Sequence, residues 1–151
     1  MDFCSIASGS SGNCTYTGTD HTALLVDAGV SARQIEKGLK SIDRAATDID
    51  GILVTHEHSD HIKGLGVLSR RYGIPIYGTK GTLNAIANCS SLGTIDAGLY
   101  REIHVDEDFQ VGDVTVHPFE IPHDAAQPSA YRISHEETSV AVVTDLGVFS
   151  D

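Results

Sequence analysis

Three histidines and an aspartate fall within six residues of the stretch Thr55-His56-Glu57-His58-Ser59-Asp60-His61. Neutral imidazole nitrogen and carboxylate oxygen are ligands for zinc, manganese, iron and similar divalent ions. The chemistry they suggest is metal binding and activation of water. The helical H-E-x-x-H pattern is excluded, because here the second histidine follows the first by two residues. In an extended segment, side chains two apart point the same way. His56 and His58 can then share one ion, while a turn through Asp60 and His61 swings a second pair toward a neighbouring one. The bland alternative is a polar loop that happens to be rich in histidine.

Two later positions have the same character. His123 follows Ile121-Pro122 and Asp145 follows the apolar run Val140 to Thr144, so each sets a ligand-capable group at the end of an expected strand. Asp27, ahead of Ala28-Gly29, sits at another strand end, where a carboxylate can orient a metal ligand from behind. His21 reads as a solvated turn residue, and His104, His117 and His135 lack placement at a strand end. No Ser/His/Asp or Cys/His set is evident, and water activated by metal ions needs none.

The elements that must position these groups follow from periodicity. Ile52-Leu53-Val54 reads as a buried strand leading into the motif, with a helix starting near Ile62 and carrying Leu65, Leu68 and Tyr72 on one face up to Gly73. Upstream, Phe3 to Ala7 reads as a strand. A hairpin pairs Cys14 to Thr17 with Ala23 to Val26, and Ser31 with Gln34 makes a capping box for a helix from about Ala32 to Ile42. That helix carries Arg33, Lys37 and Lys40, with Arg44 just beyond, the one sizeable positive stripe in the sequence. The small-residue stretch Ser8 to Asn13 fits a tight turn. It is neither a phosphate-binding P-loop nor a G-x-S-x-G elbow. Downstream, Ile74 to Tyr77 reads as a strand and Thr79 to Ala87 as a helix. Strands then follow at Ile103-His104-Val105, Phe109 to Val111, Val114 to Ile121, Ala130 to Ser134 and Ser139 to Thr144.

Composition sets the bounds. A chain of 151 residues is one domain, 1–151, and long enough to bury a core. No run of 18 apolar residues and no leader pattern is present, which predicts a cytoplasmic protein with no membrane partner. Three cysteines with no zinc-finger spacing fit reduced, structural thiols. A formal charge of −11 argues against a broad basic surface for duplex nucleic acid.

The segment Ile52 to His61, with Leu24 to Gly29 before it and His123 and Asp145 after it, resembles the metallo-β-lactamase superfamily. The opening Ser5 to Cys14 is similar to its WalJ-type (YycJ-type) branch of exonuclease-like hydrolases. The resemblance implies an α/β (α+β) fold, a metallo-β-lactamase-like αββα sandwich, of which this chain is the N-terminal portion with the second half incomplete. It implies two divalent metal ions, zinc or manganese and alternatively iron. His56, His58 and His123 would hold the first, Asp60 and His61 the second, and Asp145 would bridge them, with Asp27 supporting the site from behind. Asp60 and His61 are also the candidate catalytic residues. The family's last histidine has no counterpart before Asp151, so the second ion is expected to be short of a ligand, and the strand Val140 to Thr144 short of a covering layer. Self-association through the uncovered half is then expected.

The function implied is hydrolysis by a metal-bound hydroxide, with single-stranded nucleic acid or DNA ends as partner and substrate. Two alternatives stay open: a thioester or lactone hydrolase of the same superfamily, and a metal-binding module without turnover.

Overall fold

The computed structural model describes residues 1–8, 12–120, 129–143 and 147–150, with the backbone alone at 129, 143 and 147–150. Two sheets lie face to face. The first holds β1 (Asp2–Ala7), β2 (Cys14–Gly18), β3 (Ala23–Val26), β4 (Gly51–Leu53), β5 (Ile76–Gly78) and β6 (Tyr100–Glu102), side by side in chain order. β1, β2 and β3 pair antiparallel through short connections, and β3 to β6 run parallel. Parallel neighbours require crossovers. These are made by α1 (Ala32–Ser41), by α2 (Ser59–Ile62) with α3 (Leu65–Tyr72), and by α4 (Lys80–Ala87). The second sheet is antiparallel, in the order β11-β10-β9-β8-β7, built from β7 (Phe109–Val111), β8 (Val114–Glu120), β9 (Ser129–His135), β10 (Thr138–Val143) and β11 (Gly147–Ser150).

Alternation divides the apolar side chains between two cores. Leu25, Ile52 and Val54 face the helices and pack with Ile35, Leu39, Leu65, Leu68 and Ile86. Leu24, Val26 and Leu53 face the second sheet and meet Val116, Tyr131, Ile133, Val140 and Val142. A strand buried on both faces reads as a continuous apolar run, which is why Leu24-Leu25-Val26 and Ile52-Leu53-Val54 carry no polar alternation. The order helix layer, sheet, sheet is the one that the resemblance implies for this part of the sandwich. Among the described residues no helix covers the outer face of the second sheet.

The helix ends obey local rules. Ser31 accepts from the Gln34 amide, and the Gln34 side chain accepts from the Ser31 amide in return, so the expected capping box forms. Gly73 closes α3 at φ 66°. Two expectations shift. The edge strand expected at Ile103 to Val105 lies at Tyr100–Glu102, because parallel pairing sets Tyr100 opposite Ile76 and Glu102 opposite Gly78. Ile103 is then buried, and the chain turns through Asp106 at φ 65°. β11 was not expected at all. The inward face of β10 is covered, with Val140 and Val142 only 5% and 4% exposed. No helix of the described residues is long and apolar enough to cross a membrane.

A polar staple joins the two sheets at the β2–β3 turn. The Thr19 hydroxyl donates to both Asp113 carboxylate oxygens at 2.8 and 3.0 Å, and the Asp113 amide donates to the Thr22 hydroxyl at 3.0 Å. Gly112, at φ 57°, leaves no room for a side chain there, since a Cβ would lie 2.1 Å from the Thr22 hydroxyl oxygen. The Thr22 and Thr19 hydroxyls hold the Asp113 carboxyl below the usual carboxylate range. A carboxyl depressed on folding stabilises the chain above its unfolded pKa, and that contribution disappears as pH falls through the folded value. Thr19→Val is therefore expected to lower stability at neutral pH and to lose part of this effect on acidification, the remainder coming from the His21 and Thr22 amides that the hydroxyl also accepts from. Urea titrations of both proteins from about pH 7 to about pH 3 measure the difference. A difference independent of pH overturns the assignment.

Candidate metal centre

The centre is built where the parallel strands end. β3 gives way to Asp27, whose backbone turns left-handed at φ 64° while its amide donates to the Leu53 carbonyl at 2.8 Å. Aspartate is among the few non-glycine residues that tolerate this region. The turn drives the carboxylate under the end of β4, where it is 1% exposed. There it accepts from the Thr55 amide at 2.8 Å, the Thr55 hydroxyl at 2.7 Å and His61 Nδ1 at 2.6 Å.

These bonds fix two tautomers. The single hydroxyl proton of Thr55 goes to Asp27, so the 2.9 Å contact between that oxygen and His56 Nδ1 requires the imidazole to donate. His61 likewise donates from Nδ1. In the neutral rings the lone pair of each then resides on Nε2, the arrangement in which a metal-ligating histidine is oriented by a carboxylate or hydroxyl behind it. His56 and His61 are 1% and 3% exposed, with ring centroids 3.8 Å apart, and the His58 ring lies 4.8 Å from that of His56. His61 Nε2 is 3.4 Å from Asp60 Oδ2. The structure thus gathers four of the expected ligands, His56, His58, Asp60 and His61, with Asp27 behind them. His123 and Asp145 lie outside the described residues. Among the described residues no three His, Cys, Asp or Glu side chains yet meet the geometry of an ion-holding group. The donor set nevertheless fits a borderline divalent cation, with buried imidazoles of fixed tautomer beside a half-buried carboxylate.

The helix expected near Ile62 begins three residues earlier. His58 is extended at φ −64°, ψ 145°, and its carbonyl accepts from the His61 amide at 2.9 Å, so Ser59–Ile62 forms a helical turn of its own. Asp60 and His61 therefore project about 100° apart, as helical neighbours do, and not along a loop.

A backbone clamp holds that turn. Ala28 N–H donates to the His61 carbonyl at 2.8 Å, Asn13 N–H to the Asp60 carbonyl at 2.7 Å, Gly29 N–H to the Asn13 carbonyl at 2.8 Å, and Gly64 N–H to the Ala28 carbonyl at 2.7 Å. Gly29 is pressed so tightly on α2 that a Cβ would lie 1.8 Å from the Asp60 carbonyl oxygen. The Asn13 side chain adds contacts of 3.3 Å to the Asp60 carbonyl and 3.5 Å to its carboxylate. Sequence reasoning missed this role of Asn13. Its only signal was an amide closing a glycine-serine stretch, of which Gly9, Ser10 and Ser11 lie outside the described residues. Tyr131 was missed too. From the second sheet its buried hydroxyl donates to the Val54 carbonyl at 2.6 Å, one residue before Thr55.

The histidines left out of the candidate set fall elsewhere. His104 pairs with Glu102, His117 with Asp108, and His135 donates to the Asp113 carbonyl. The three cysteines are free thiols. Cys14 is fully buried, and burial pushes its thiol far up, with the charge of Asp27 adding to the effect, so it is an inert core group.

Known proteins share both the sequence and the fold. Residues 22–151 match the family model described as a β-lactamase superfamily domain. The whole chain is 43% identical to exodeoxyribonuclease YycJ of Bacillus anthracis, and covers 56% of that protein. Over 97% of its length it is 42% identical to exodeoxyribonuclease WalJ of Streptococcus pneumoniae serotype 2, and covers 54% of it. The chain spans about half the length of these relatives. Among solved structures, a B3 metallo-β-lactamase with an active-site glutamic acid superposes with a TM-score of 0.77 at 15% identity, over 93% of this chain and 57% of that one. A class B3 di-zinc metallo-β-lactamase from an Alaskan soil metagenome superposes with a TM-score of 0.71 at 19% identity, over 87% of this chain and 56% of that one. The chain belongs to the metallo-β-lactamase superfamily, within its WalJ/YycJ-type branch.

Proposed function

We propose that the chain carries the metal-binding part of a divalent-metal-dependent hydrolase that acts on nucleic-acid phosphodiesters from an end. The observation that carries this reading is the Asp27–Thr55–His61 network. It sets the tautomers of two buried imidazoles beside Asp60 and places the lone pair of each neutral ring on Nε2, the arrangement of a metal-ligating histidine. The exodeoxyribonucleases among its relatives support the substrate class.

His56, His58 and His123 would hold one cation, Asp60 and His61 a second, and Asp145 would lie between them. Two such ions, when bound, lower the pKa of water and stabilise charge on phosphoryl oxygens. The chain's own residues supply position. Asp27 holds the His61 ring in one orientation, Thr55 does the same for His56, and Asn13 restrains Asp60 through both its carbonyl and its carboxylate. Pre-set ligands of this kind avoid reorganisation when substrate arrives.

Zinc titration of the full chain against a chromogenic chelator is expected to show binding that His58→Ala weakens at least tenfold. Hydrolysis of end-labelled single-stranded DNA is expected to stop in EDTA and to vanish in Asp60→Ala at unchanged circular dichroism. Hydrolysis that survives chelation sinks the metal mechanism. Zinc binding with no hydrolysis of any DNA end favours a metal-binding module.

A further inference from the structure

The basic residues are few, ten in all, and most are engaged or scattered. Arg44 pairs with Asp2 and Arg71 with Glu36, Arg70 donates to the Leu92 and Thr94 carbonyls, and Arg101 donates to the Gly98 carbonyl. Four others, Arg33, Lys37, Lys40 and Lys63, are exposed and take part in no ion pair among the described residues. They are also neighbours in space. Lys63 directly follows α2, and a Cβ on the next residue, Gly64, would lie 2.3 Å from the Val30 carbonyl oxygen and 3.1 Å from the Ala32 amide nitrogen at the start of α1. Arg33 is the second residue of that helix. Ala32, Ile35 and Leu39 form its buried face. At 100° per residue, Arg33, Lys37 and Lys40 then share one flank.

The near end of this stripe abuts the candidate centre. Gly29, two residues before Ser31, is in contact with the Asp60 carbonyl, and Lys63 lies one helical turn beyond Asp60. A cation in the first turn opposes the helix dipole, and no acidic residue in the first turn of α1 offsets Arg33. Lys40 in the last turn suits the dipole, whereas Arg33 at the start opposes it, and an external anion bound there would offset that cost. From Lys63 the surface continues into a cleft of about 560 Å³ lined by Glu57, Ser59, Ile62, Cys89 and Leu92, where motif residues form one wall.

We propose that Lys63, Arg33, Lys37 and Lys40 form a track for the phosphates of a single nucleic-acid strand, leading it away from the Asp60/His61 end of the centre along α1. This rests on the hydrolase reading and adds the path of its substrate. From Arg33 to Lys40 the helix rises about 10 Å, which matches about three phosphates of a stacked strand at ~3.4 Å each. A narrow stripe on a protein of net charge −11 suits one strand and rejects the broad electrostatic footprint of a duplex.

The test is binding, read without turnover. Fluorescence anisotropy of a labelled oligothymidylate, in EDTA, is followed from about 20 to about 300 mM salt with the full chain. The triple variant Arg33→Gln/Lys37→Gln/Lys63→Gln is expected to bind at least tenfold more weakly. The slope of log K against log salt should flatten by about 2, at roughly 0.7 per lost phosphate contact. Arg101→Gln, which removes one equal charge on the β6 edge, should change neither. An unchanged triple variant overturns the track, and so does a loss of the same size per charge in Arg101→Gln. Failure of the hydrolase reading looks different: binding would depend on the track while no DNA end is cleaved in metal.

Discussion

Asp27→Ala is expected to cost about 3–5 kcal/mol, the order found when one partner of a buried charged network is removed. The carboxylate is 1% exposed and is the acceptor for three donors, the Thr55 amide, the Thr55 hydroxyl and His61 Nδ1. Each buried donor left without a partner costs about 1–3 kcal/mol, and the left-handed backbone at Asp27 adds strain for alanine. Against a typical stability of about 5–15 kcal/mol, much of the population would unfold. Asp27→Asn keeps one acceptor oxygen and a side chain suited to that backbone, so a loss of about 1–3 kcal/mol is expected. Urea unfolding measures both. An alanine variant within 1 kcal/mol of the wild type would mean that the network does not organise this end of the sheet.

Gly29→Ala is the second large effect, and its cause is space alone. The added methyl carbon would lie 1.8 Å from the Asp60 carbonyl oxygen and 2.6 Å from the Asn13 amide nitrogen, two backbone atoms already bonded to each other. Neither can retreat as a flexible side chain would. The loss should reach at least about 3 kcal/mol, the upper end for overpacking. Any molecules that fold should bind zinc more weakly, because Asp60 must move. Gly73→Ala is the comparison. Its Cβ meets nothing within 4 Å, so only the positive φ of 66° is penalised, by about 1 kcal/mol. Equal losses at the two sites would contradict the packing argument.

The sequence was most readable where a local rule acts alone. The Ser31/Gln34 box, the Gly73 stop, the buried strands at 23–26 and 51–53 and the alternation of Val114, Val116 and Pro118 all follow from neighbours in the chain. The histidine motif marked the centre because its residue types are dense and unusual. Register was less visible. The shift of the edge strand from Ile103 to Tyr100 is decided by pairing with β5, and nothing within the segment reports it. β11 pairs Val148 with Val142, a choice made by β10 and not by its own short run. Asn13 and Tyr131 were invisible for the same reason, since each acts through a backbone carbonyl 47 or 77 residues away. An acceptor that every residue possesses leaves no mark on composition.

The bond from Tyr131 to the Val54 carbonyl has a mechanical meaning. It spans the gap between the sheets and props the root of the histidine loop from the far side, so the rigidity of the ligand cage is not a property of its own layer. Rocking one sheet on the other would tug the first imidazole two residues beyond the prop. Whatever stiffens or loosens the far layer thereby tunes how well the cage grips its contents.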